Sequence, residues 1–403
     1  MKEGYKETEL GLIPIDWEVK KLGEITKGKG IYGINAAAVS YDESLPRYLR
    51  ITDIDDEGCF STEKLSSVND ENSKDFYLKS GDLIFIRTGS TTGKTYLYNK
   101  ADGVLVYAGF LIKFSIDSKK ANDYYVWNYT KTNKYSIWVQ KFSQRSGQPG
   151  LNSNECLNLM LPIPPLSEQK AIADCLATWD KAIELQSKLI DDKQYRKDAL
   201  VQQLLSGKKR LPGFTDKWKE FKLGDLFAER NEVKIVNLPL LSIGQDGVYP
   251  QTDSNKRDIS NSDKSKYKRI ATGDIGYNTM RMWQGRSALS SLEGIVSPAY
   301  TILAPRNNVN SYYFSILFTT SKLTNLFWRN SQGLVDDTLN CKYKDFSKIK
   351  HFVPSFEEQN AIAEILKTAE KEIQIEKQKL ADLQEQKKGL MQQLLTGKVR
   401  LKF

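Results

Sequence analysis

Two short runs in the first hundred residues carry side chains of the types that do chemistry. The segment 89–95 (Gly-Ser-Thr-Thr-Gly-Lys-Thr) matches part of a phosphate-binding P-loop, but that loop needs four residues between its glycines and this run has three. Asp16, Glu18 and Lys20 have the order of a metal-dependent nuclease cluster, yet the related segment around Trp218 does not repeat this spacing, since its acids Asp216 and Glu220 stand four residues apart. Neither run predicts nucleotide hydrolysis or metal-dependent cleavage.

Histidine and cysteine are too few and too scattered for most metal or redox chemistry. His351 is the single histidine, and the four cysteines form no C-x-x-C pair. A zinc site and a disulfide framework are therefore not expected, and a reducing cytoplasmic compartment fits. The N-terminus is too acidic and polar for a signal peptide, and no apolar run reaches about 18 residues. The Asn-Pro-Pro-aromatic motif of base methylation does not occur.

Length and charge indicate the kind of partner. The chain has 403 residues, which predicts two or three domains. Lys and Arg number 59 against 50 Asp and Glu, a formal net charge of +9. A basic balance favours polyanionic partners, most often nucleic acid, because phosphates attract Lys and Arg.

An internal repeat organises the whole chain. Residues 164–211 align without a gap on residues 354–401, at a constant offset of 190, and 22 of the 48 aligned pairs are identical. Looser similarity surrounds Trp17 and Trp218, each followed by a Lys-Leu-Gly-acid run. The chain thus alternates a variable block, a similar helix, a second variable block and a second similar helix.

Both repeated segments predict long helices. Apolar residues recur at alternating spacings of four and three, and Ser167 and Ser355 are placed as N-caps, with Glu358 completing a possible capping box. Gly207 and Gly397 stand where a C-cap glycine belongs. About 40 residues would make each helix roughly 60 Å long. A single apolar stripe needs a partner, so we expect the two helices to pair antiparallel with an approximate two-fold relation.

Similarity between the helices extends to polar positions that a coiled-coil seam does not require. These positions are expected to be exposed and to form two equivalent surfaces for two copies of one partner; the alternative is a helix pair that acts only as a spacer. The candidate docking residues are Glu168, Gln169, Gln202, Gln203, Glu358, Gln359, Gln392 and Gln393.

The variable blocks predict α/β or α+β globular heads. In the first, strands are expected at 81–87 and 104–114 and an aromatic-rich helix at 123–139; in the second, strands at 273–277 and 295–303 and a helix at about 311–327. The resulting segments are a first head at 1–165, a central helix at 166–211, a second head at 212–353 and a distal helix at 354–403.

Polar and basic loops follow these strands and helices in matching places of the two heads. Arg, Lys, Gln and Asn contact base edges, while Ser, Thr and glycine amides suit phosphates, although ordinary solvated turns have similar composition. The basic run from Lys256 to Arg269 is more typical of a solvated or phosphate-contacting face. The candidate DNA-binding residues are Arg87, Thr88, Ser90, Thr91, Lys94, Gln144, Arg145, Gln148, Arg281, Trp283, Gln284, Arg286, Arg329, Asn330 and Gln332.

The combined pattern resembles the specificity subunit of type I restriction–modification enzymes. The resemblance rests on a Pro-Pro-Leu-x-Glu-Gln-x-x-Ile-Ala helix entry, a Leu-Leu-x-Gly-Lys-x-Arg-Leu exit and the tryptophan segment that opens each head, and it covers essentially the whole chain. It implies two target recognition domains that each read one half of a bipartite double-stranded DNA site. The resemblance also implies that the helices dock two methyltransferase subunits, which bind S-adenosylmethionine and methylate adenine.

The resemblance further implies a non-catalytic chain that holds no cofactor or metal itself, with two motor–nuclease subunits as additional partners for restriction. Two other readings stay open at this point. One is a coiled-coil adaptor that links two protein partners and whose basic heads do not read sequence. The other is an enzyme in its own right, which the missing motifs disfavour.

Overall fold

A computed structural model describes residues 3–235, 237–244, 247–253, 263–333 and 338–401. The chain forms two compact units: unit 1 comprises Met1–Ser187 with Gln378–Phe403, and unit 2 comprises Lys188–Lys377. Each unit therefore contains one variable block together with one end of each repeated helix.

Unit 1 holds short strands, three short helices and the start of a long one. Its four-stranded sheets have the orders β4-β11-β8-β9 and β10-β6-β7-β5, and two-stranded pairs join β1 to β2 and β12 to β3. The strands are β1 (Tyr5–Thr8), β2 (Gly11–Pro14), β3 (Glu18–Lys21), β4 (Ile31–Tyr32), β5 (Ala38–Ser40), β6 (Arg47–Leu49), β7 (Ser66–Val68), β8 (Asp82–Ile86), β9 (Thr95–Leu97), β10 (Leu105–Tyr107), β11 (Leu111–Ser115) and β12 (Met160–Ile163). The helices are α1 (Asp123–Tyr129), α2 (Asn133–Phe142), α3 (Ser153–Leu157) and α4 (Leu166–Leu204), of which α4 continues into the residues of unit 2.

Unit 2 repeats this plan. Its sheet β14-β21-β18-β19 has the order of β4-β11-β8-β9, and β13 pairs with β22 as β3 pairs with β12. The strands are β13 (Lys219–Lys222), β14 (Phe227–Glu229), β15 (Leu241–Ile243), β16 (Val248–Pro250), β17 (Lys268–Ile270), β18 (Ile275–Asn278), β19 (Ser287–Leu289), β20 (Gly294–Val296), β21 (Tyr300–Pro305) and β22 (Lys350–Val353). The helices are α5 (Leu223–Leu226), α6 (Ser311–Leu317), α7 (Ser321–Asn330), α8 (Tyr343–Phe346) and α9 (Phe356–Leu394), whose end belongs to unit 1.

The two long helices, α4 and α9, each have 39 residues. Within unit 1, the start of α4 packs against the end of α9 through Ile172, Leu176, Met391 and Leu394. Within unit 2, the end of α4 packs against the start of α9. The helices are therefore antiparallel inside each unit, and the burial pattern of residues 171–180 is identical to that of 361–370. The structure confirms the predicted fold class of mixed helix-and-sheet heads on two long paired helices.

The core of each head is continuous with the helix pair. In unit 1, Trp17, Phe85 and Tyr125 are buried in the same cluster as Ile172 and Leu176. In unit 2, Tyr277 and Tyr313 share a cluster with Ile362 and Leu366. Burial of aromatic side chains of this size contributes a large share of the packing energy. Each head is thus anchored on its helix ends and cannot rotate on them without opening a core.

Three local predictions about helices are wrong. The helix expected at 123–139 is two helices. The hydroxyl of Thr130 donates to the carbonyl of Trp127 at 2.6 Å, and the hydroxyl of Thr132 caps α2 by accepting the amide of Tyr135 at 3.3 Å. The helix expected at 311–327 breaks in the same place, between α6 and α7. Ser167 is not an N-cap, since α4 already begins at Leu166.

The predicted C-cap glycines of both long helices and the predicted N-cap of the second long helix are correct. Gly207 and Gly397 both have φ of 70°, the left-handed conformation of a C-cap glycine. Ser355 accepts the amide of Glu358 at 3.3 Å, as an N-cap does.

The described ranges lack a membrane-spanning helix and a metal-binding cluster. No helix there is long and apolar enough to cross a membrane. No group of three or more His, Cys, Asp or Glu side chains in those ranges is placed to hold a metal ion. His351 lies buried on β22, where burial and the charge of Lys322 lower its pKa to about 4.

Candidate nucleic-acid interface

A buried glutamate joins each head to the ends of the helices. In unit 1, Glu168 on α4 accepts the indole N–H of Trp17 at 3.0 Å and binds the guanidinium of Arg400 at 2.7 Å. Arg400 also contacts Asp16, and the carboxylate of Glu168 raises the pKa of Arg400. Charge-assisted bonds of this kind are strong when one partner is buried. We call this set, Trp17, Glu168 and Arg400, the unit 1 clasp.

Unit 2 has the same arrangement. Glu358 on α9 binds the guanidinium of Arg210 at 2.7 Å and accepts the indole N–H of Trp218 at 3.2 Å. These three residues form the unit 2 clasp. The clasps explain why the tryptophan segment, the helix entry and the Gly-Lys-x-Arg-Leu exit all repeat together: the three segments meet at one carboxylate.

The clasps correct the expectation that the Glu-Gln pair of each helix is exposed. Glu168, Gln169, Glu358 and Gln359 are only 1%, 1%, 2% and 3% exposed. Gln169 accepts the amide of Asn122 and donates to the carbonyl of Pro164, and Gln359 repeats this pattern. These four residues therefore hold the heads in place. Gln392 is half-buried and accepts the amide of Asn133 at 3.1 Å, whereas Gln202, Gln203 and Gln393 are exposed; a docking role for these three stays a prediction.

A second repeated network lies further along the helices. Asp180 accepts the Tyr124 hydroxyl and binds Lys387 at 2.5 Å, while Glu370 accepts the Tyr312 hydroxyl at 2.6 Å and binds Lys197 at 2.5 Å. Burial and then the carboxylate raise the pKa of both tyrosines. Lys197 and Lys387 stand at equivalent positions of the repeat, and each supplies the cation of its network.

The two predicted loops of unit 1 form one surface. The amide of Leu151 donates to the carbonyl of Arg87 at 2.8 Å, and the amide of Gly89 donates to Pro149 at 3.2 Å. Gly93, at φ of 87°, lies so close to α2 that an added Cβ would stand 2.6 Å from Val139. The loop 87–94 is thus pressed between α2 and the loop 144–150, which brings the predicted residues of both loops together.

The corresponding loops of unit 2 also meet. The amide of Cys341 donates to Thr279 at 2.8 Å, and Gln332 and Asn340 exchange two backbone hydrogen bonds. Gly285, at φ of 73°, lies against α7, where an added Cβ would stand 2.9 Å from Thr324. The two heads therefore present their loops on the same backbone frame.

The frame shows which residues of the two loops are equivalent. Arg87 donates its amide to Phe110 at 3.1 Å and accepts from Leu151; Thr279 donates to Ala299 at 3.4 Å and accepts from Cys341. Thr279 is thus the counterpart of Arg87, and Ala299 is that of Phe110. Arg281, the first basic residue of the unit 2 loop, lies two residues later and is not the counterpart of Arg87.

The structure separates the predicted unit 1 residues by what their side chains already bind. Lys94 forms an ion pair with Asp56 at 2.8 Å and lowers its pKa, and Arg145 holds both carboxylate oxygens of Glu155 at 2.6 and 2.7 Å. Arg87 instead stacks its guanidinium over the Tyr32 ring at 4.8 Å. Of the predicted polar residues, Ser90, Gln144 and Gln148 are exposed and Thr88 and Thr91 are half-buried.

Replacing Arg145 with alanine is expected to destabilise the loop 144–150 and to leave the chain's discrimination between bases unchanged. Glu155 caps α3 and would lose its bidentate partner, a surface pair worth about 1 kcal/mol or less. The midpoint temperature of thermal unfolding should fall slightly, while the base preference of the chain stays the same. A changed preference at one base pair would assign Arg145 to the DNA instead.

The predicted residues of unit 2 lie on the matching loops. Arg281 and Trp283 are half-buried, and the Trp283 indole donates to Met280 at 3.1 Å. Asn330 is half-buried and donates to Leu326 at 2.8 Å. Gln284, Arg286, Arg329 and Gln332 are exposed. Lys256 and Arg257 of the predicted basic run lie outside the described residues, while Arg269 in the same run pairs with Glu232 and Glu293.

Sequence reasoning missed two aromatic residues at this surface of unit 1. Tyr32 is 38% exposed on β4, and Phe110 is 59% exposed in the turn between β10 and β11. Both residues are neighbours of Arg87, Tyr32 through its ring and Phe110 through its backbone carbonyl. The run 104–114 had indicated one continuous strand, and such a strand gives no reason to expect a turn that exposes Phe110.

Comparison with known proteins agrees with this architecture. The family model described as type I restriction modification DNA specificity domain matches residues 14–192 and again 215–385. Two type I restriction enzyme specificity subunits of Methanocaldococcus jannaschii, MjaX and MjaVIII, are 26% and 24% identical over 437 and 439 residues, and the alignments cover 100% of this chain and 98% and 97% of theirs.

Solved structures support the fold. A chain from a study of complex assembly and conformational transition of the type I R-M system aligns with a TM-score of 0.58 at 15% identity, covering 96% of this chain and 99% of that one. The S subunit of M. genitalium aligns with a TM-score of 0.54 at 16% identity, covering 94% and 96%. Because the family's domain matches twice and the two matches together cover most of this chain, the chain belongs to the type I restriction–modification DNA specificity family.

Proposed function

We propose that this chain is the non-catalytic, DNA-reading subunit of a type I restriction–modification complex. Each unit reads one half of a bipartite site in double-stranded DNA, and the helices bind two methyltransferase subunits that carry S-adenosylmethionine and methylate adenine. The observation that carries the proposal is the shared backbone frame with unlike side chains: Arg87 and Phe110 in one head stand where Thr279 and Ala299 stand in the other. One docking geometry with two different reading surfaces is what two unlike half-sites require.

The loops supply both kinds of DNA contact. Exposed hydroxyl and amide side chains such as Ser90, Gln148 and Gln332 can position the head on phosphates or on base edges. A few side chains then discriminate bases, at about 1–3 kcal/mol for a good bidentate pair. Adenine is expected to be flipped out of the duplex by the bound methyltransferases, because chemistry on a base requires it to leave the stack. With motor–nuclease subunits added, the same complex would cut DNA that carries unmodified sites.

A binding selection tests this proposal against an adaptor that does not read sequence. The full chain, co-expressed with its methyltransferase, is offered random duplexes at physiological salt, and the bound fraction is sequenced. We expect a motif with two unlike halves separated by an unspecified spacer. Binding without sequence preference would support the adaptor instead.

Exposed apolar residues at equivalent positions point to where the methyltransferases bind. Leu185 of unit 1 is 54% exposed, and Ile375 of unit 2, its counterpart at the repeat offset of 190, is 47% exposed. Neither contributes to the core of its own unit. Apolar side chains that stay exposed at both repeat positions suit two copies of one partner.

Each replacement of Leu185 or Ile375 with glutamate is expected to abolish the binding of one methyltransferase subunit. Leu185→Glu or Ile375→Glu alone should leave a complex with one subunit, and the double variant should bind none, because a charge would be desolvated in an apolar contact. Mass photometry of the purified complexes measures the stoichiometry. Ser187→Glu, at an exposed position two residues further along and so on the other side of the same helix, is the matched control. Full assembly of the double variant would place the docking surface elsewhere.

A further inference from the structure

Three side chains of unit 1 leave the same face of one sheet, just beyond its buried core. In the register of β4, β11 and β8, Tyr32 stands opposite Ile112, and Ile112 stands opposite Phe85. Successive side chains alternate between faces, so Arg87, two residues after Phe85, projects from the same face. The next pair in this ladder is Arg87 and Phe110, joined by the Arg87 amide bond to the Phe110 carbonyl at 3.1 Å. Tyr32 and Arg87 are thus in contact, and Phe110 is the cross-strand neighbour of Arg87.

Among the described arginines of unit 1, Arg87 is the one whose guanidinium has no polar partner. Across the described part of that unit, residues 3–187 and 378–401, Arg50, Arg145 and Arg400 are paired with carboxylates and Arg47 donates to the Asp102 carbonyl at 2.7 Å. The Arg87 guanidinium instead lies over the Tyr32 ring at 4.8 Å. A guanidinium held over an aromatic face keeps its N–H donors available for a second partner.

Tyr32 is itself held in place. Its hydroxyl accepts the backbone amide of Ser153 at 3.1 Å, and its strand pairs with β11. Arg87 is fixed at its backbone on both sides, by Phe110 and by Leu151. A planar donor fork is thus oriented by rigid elements before any ligand arrives, which lowers the entropy cost of binding.

We infer that Arg87 reads a guanine in the half-site bound by unit 1, with Tyr32 as the residue that positions it; this deepens the proposed function and rests on it. The guanidinium fork matches the O6 and N7 acceptors of guanine in the major groove. Phe110, which neighbours Arg87 across the strands and is 59% exposed, favours a base edge over a phosphate because it adds apolar surface near Arg87. A phosphate contact would place that ring against a strongly hydrated group.

Unit 2 lacks this reading element at the same place. Thr279 and Ala299 replace Arg87 and Phe110 on an identical backbone frame. Neither can form a bidentate donor fork. The contact made by Arg87 is therefore absent from this place in unit 2, and Arg87→Thr introduces into unit 1 a residue that the fold already accepts at this position.

The test is the duplex selection repeated with variants of the full chain and its methyltransferase. Wild type should select a guanine at one base pair of one half-site. Arg87→Thr should lower the preference for that guanine by about 5- to 150-fold and leave the other half-site unchanged. Tyr32→Leu should lower it at the same base pair by about 2- to 5-fold, because the fork stays but loses its orientation. Arg145→Ala is the matched control and should leave every base preference intact.

Three results would overturn the inference. One is an unchanged motif with Arg87→Thr. Another is an equal loss of affinity for all sequences with a salt slope reduced by about one, which marks a phosphate contact. The third is a Tyr32→Leu effect at a base pair that Arg87→Thr does not touch. If wild type itself selects no bipartite motif, the proposed function fails; if the motif appears but Arg87→Thr spares it, only this inference fails.

Discussion

Replacing Glu168 with alanine is expected to destabilise unit 1 by about 2–4 kcal/mol. Breaking a buried ion pair by removing one partner costs about 3–5 kcal/mol, and the lower range applies because the Arg400 side chain is 39% exposed and can be hydrated. The indole N–H of Trp17, whose ring is fully buried, would also lose its acceptor. Native-state hydrogen exchange of α1 measures the effect, since it reports on unit 1 separately from unit 2.

The repeat supplies the matched control for this variant. Glu358→Ala should lower protection of α6 in unit 2, where the corresponding bonds run to Arg210 and Trp218, and leave α1 unchanged. Glu168→Gln keeps an oxygen acceptor for the indole and should cost less than alanine. Undiminished protection of α1 in Glu168→Ala would show that the clasp does not hold the head to the helices.

Exchange of the second head is expected to rewrite half of the recognised sequence. If residues 212–353 are replaced with the head of another member of the family, the half-site read by unit 2 should change completely while the other half stays. The reason is that the reading loops of each head are built within its own unit, on its own sheet and helices. The motif is measured by sequencing methylated adenines in cells that express the chimaera with the methyltransferase.

The control for the exchange keeps the helices constant. Replacing residues 1–165 instead should change the opposite half-site, so that the two chimaeras divide the original motif between them. Simultaneous change of both halves in either chimaera would contradict independent reading by two heads.

The long helices and the repeat could be predicted from sequence because both depend on local, periodic signals. Apolar spacing places Ile172 and Ile362 in the seam, and the left-handed glycines at 207 and 397 end the helices as expected. The antiparallel pairing followed from chain connectivity. The aromatic helix of each head is shorter than the sequence predicts. Threonine side chains break it through hydrogen bonds to the backbone, and the periodicity of apolar residues does not reveal such bonds.

The candidate site was only partly predictable, because burial and partners depend on distant parts of the chain. Glu168 and Glu358 looked like exposed docking residues, since nothing nearby in sequence shows that an arginine and a tryptophan will enclose them. Arg145 and Arg87 looked alike as loop arginines, and only the fold brings Glu155 to one and Tyr32 to the other. Thr279 stands at the offset of 192 residues that joins Gly81 to Gly273 and Gly93 to Gly285, and the backbone hydrogen bonds confirm it as the counterpart of Arg87.

The central claim is that one chain holds two unlike DNA-reading heads. The most direct measurement is a methylome of cells that express the chain with its methyltransferase, compared with cells that express the methyltransferase alone. We predict methylated adenines in a single bipartite motif with two different halves, present only when this chain is expressed. Methylation without a motif, or a motif that is continuous or made of two identical halves, would contradict the claim.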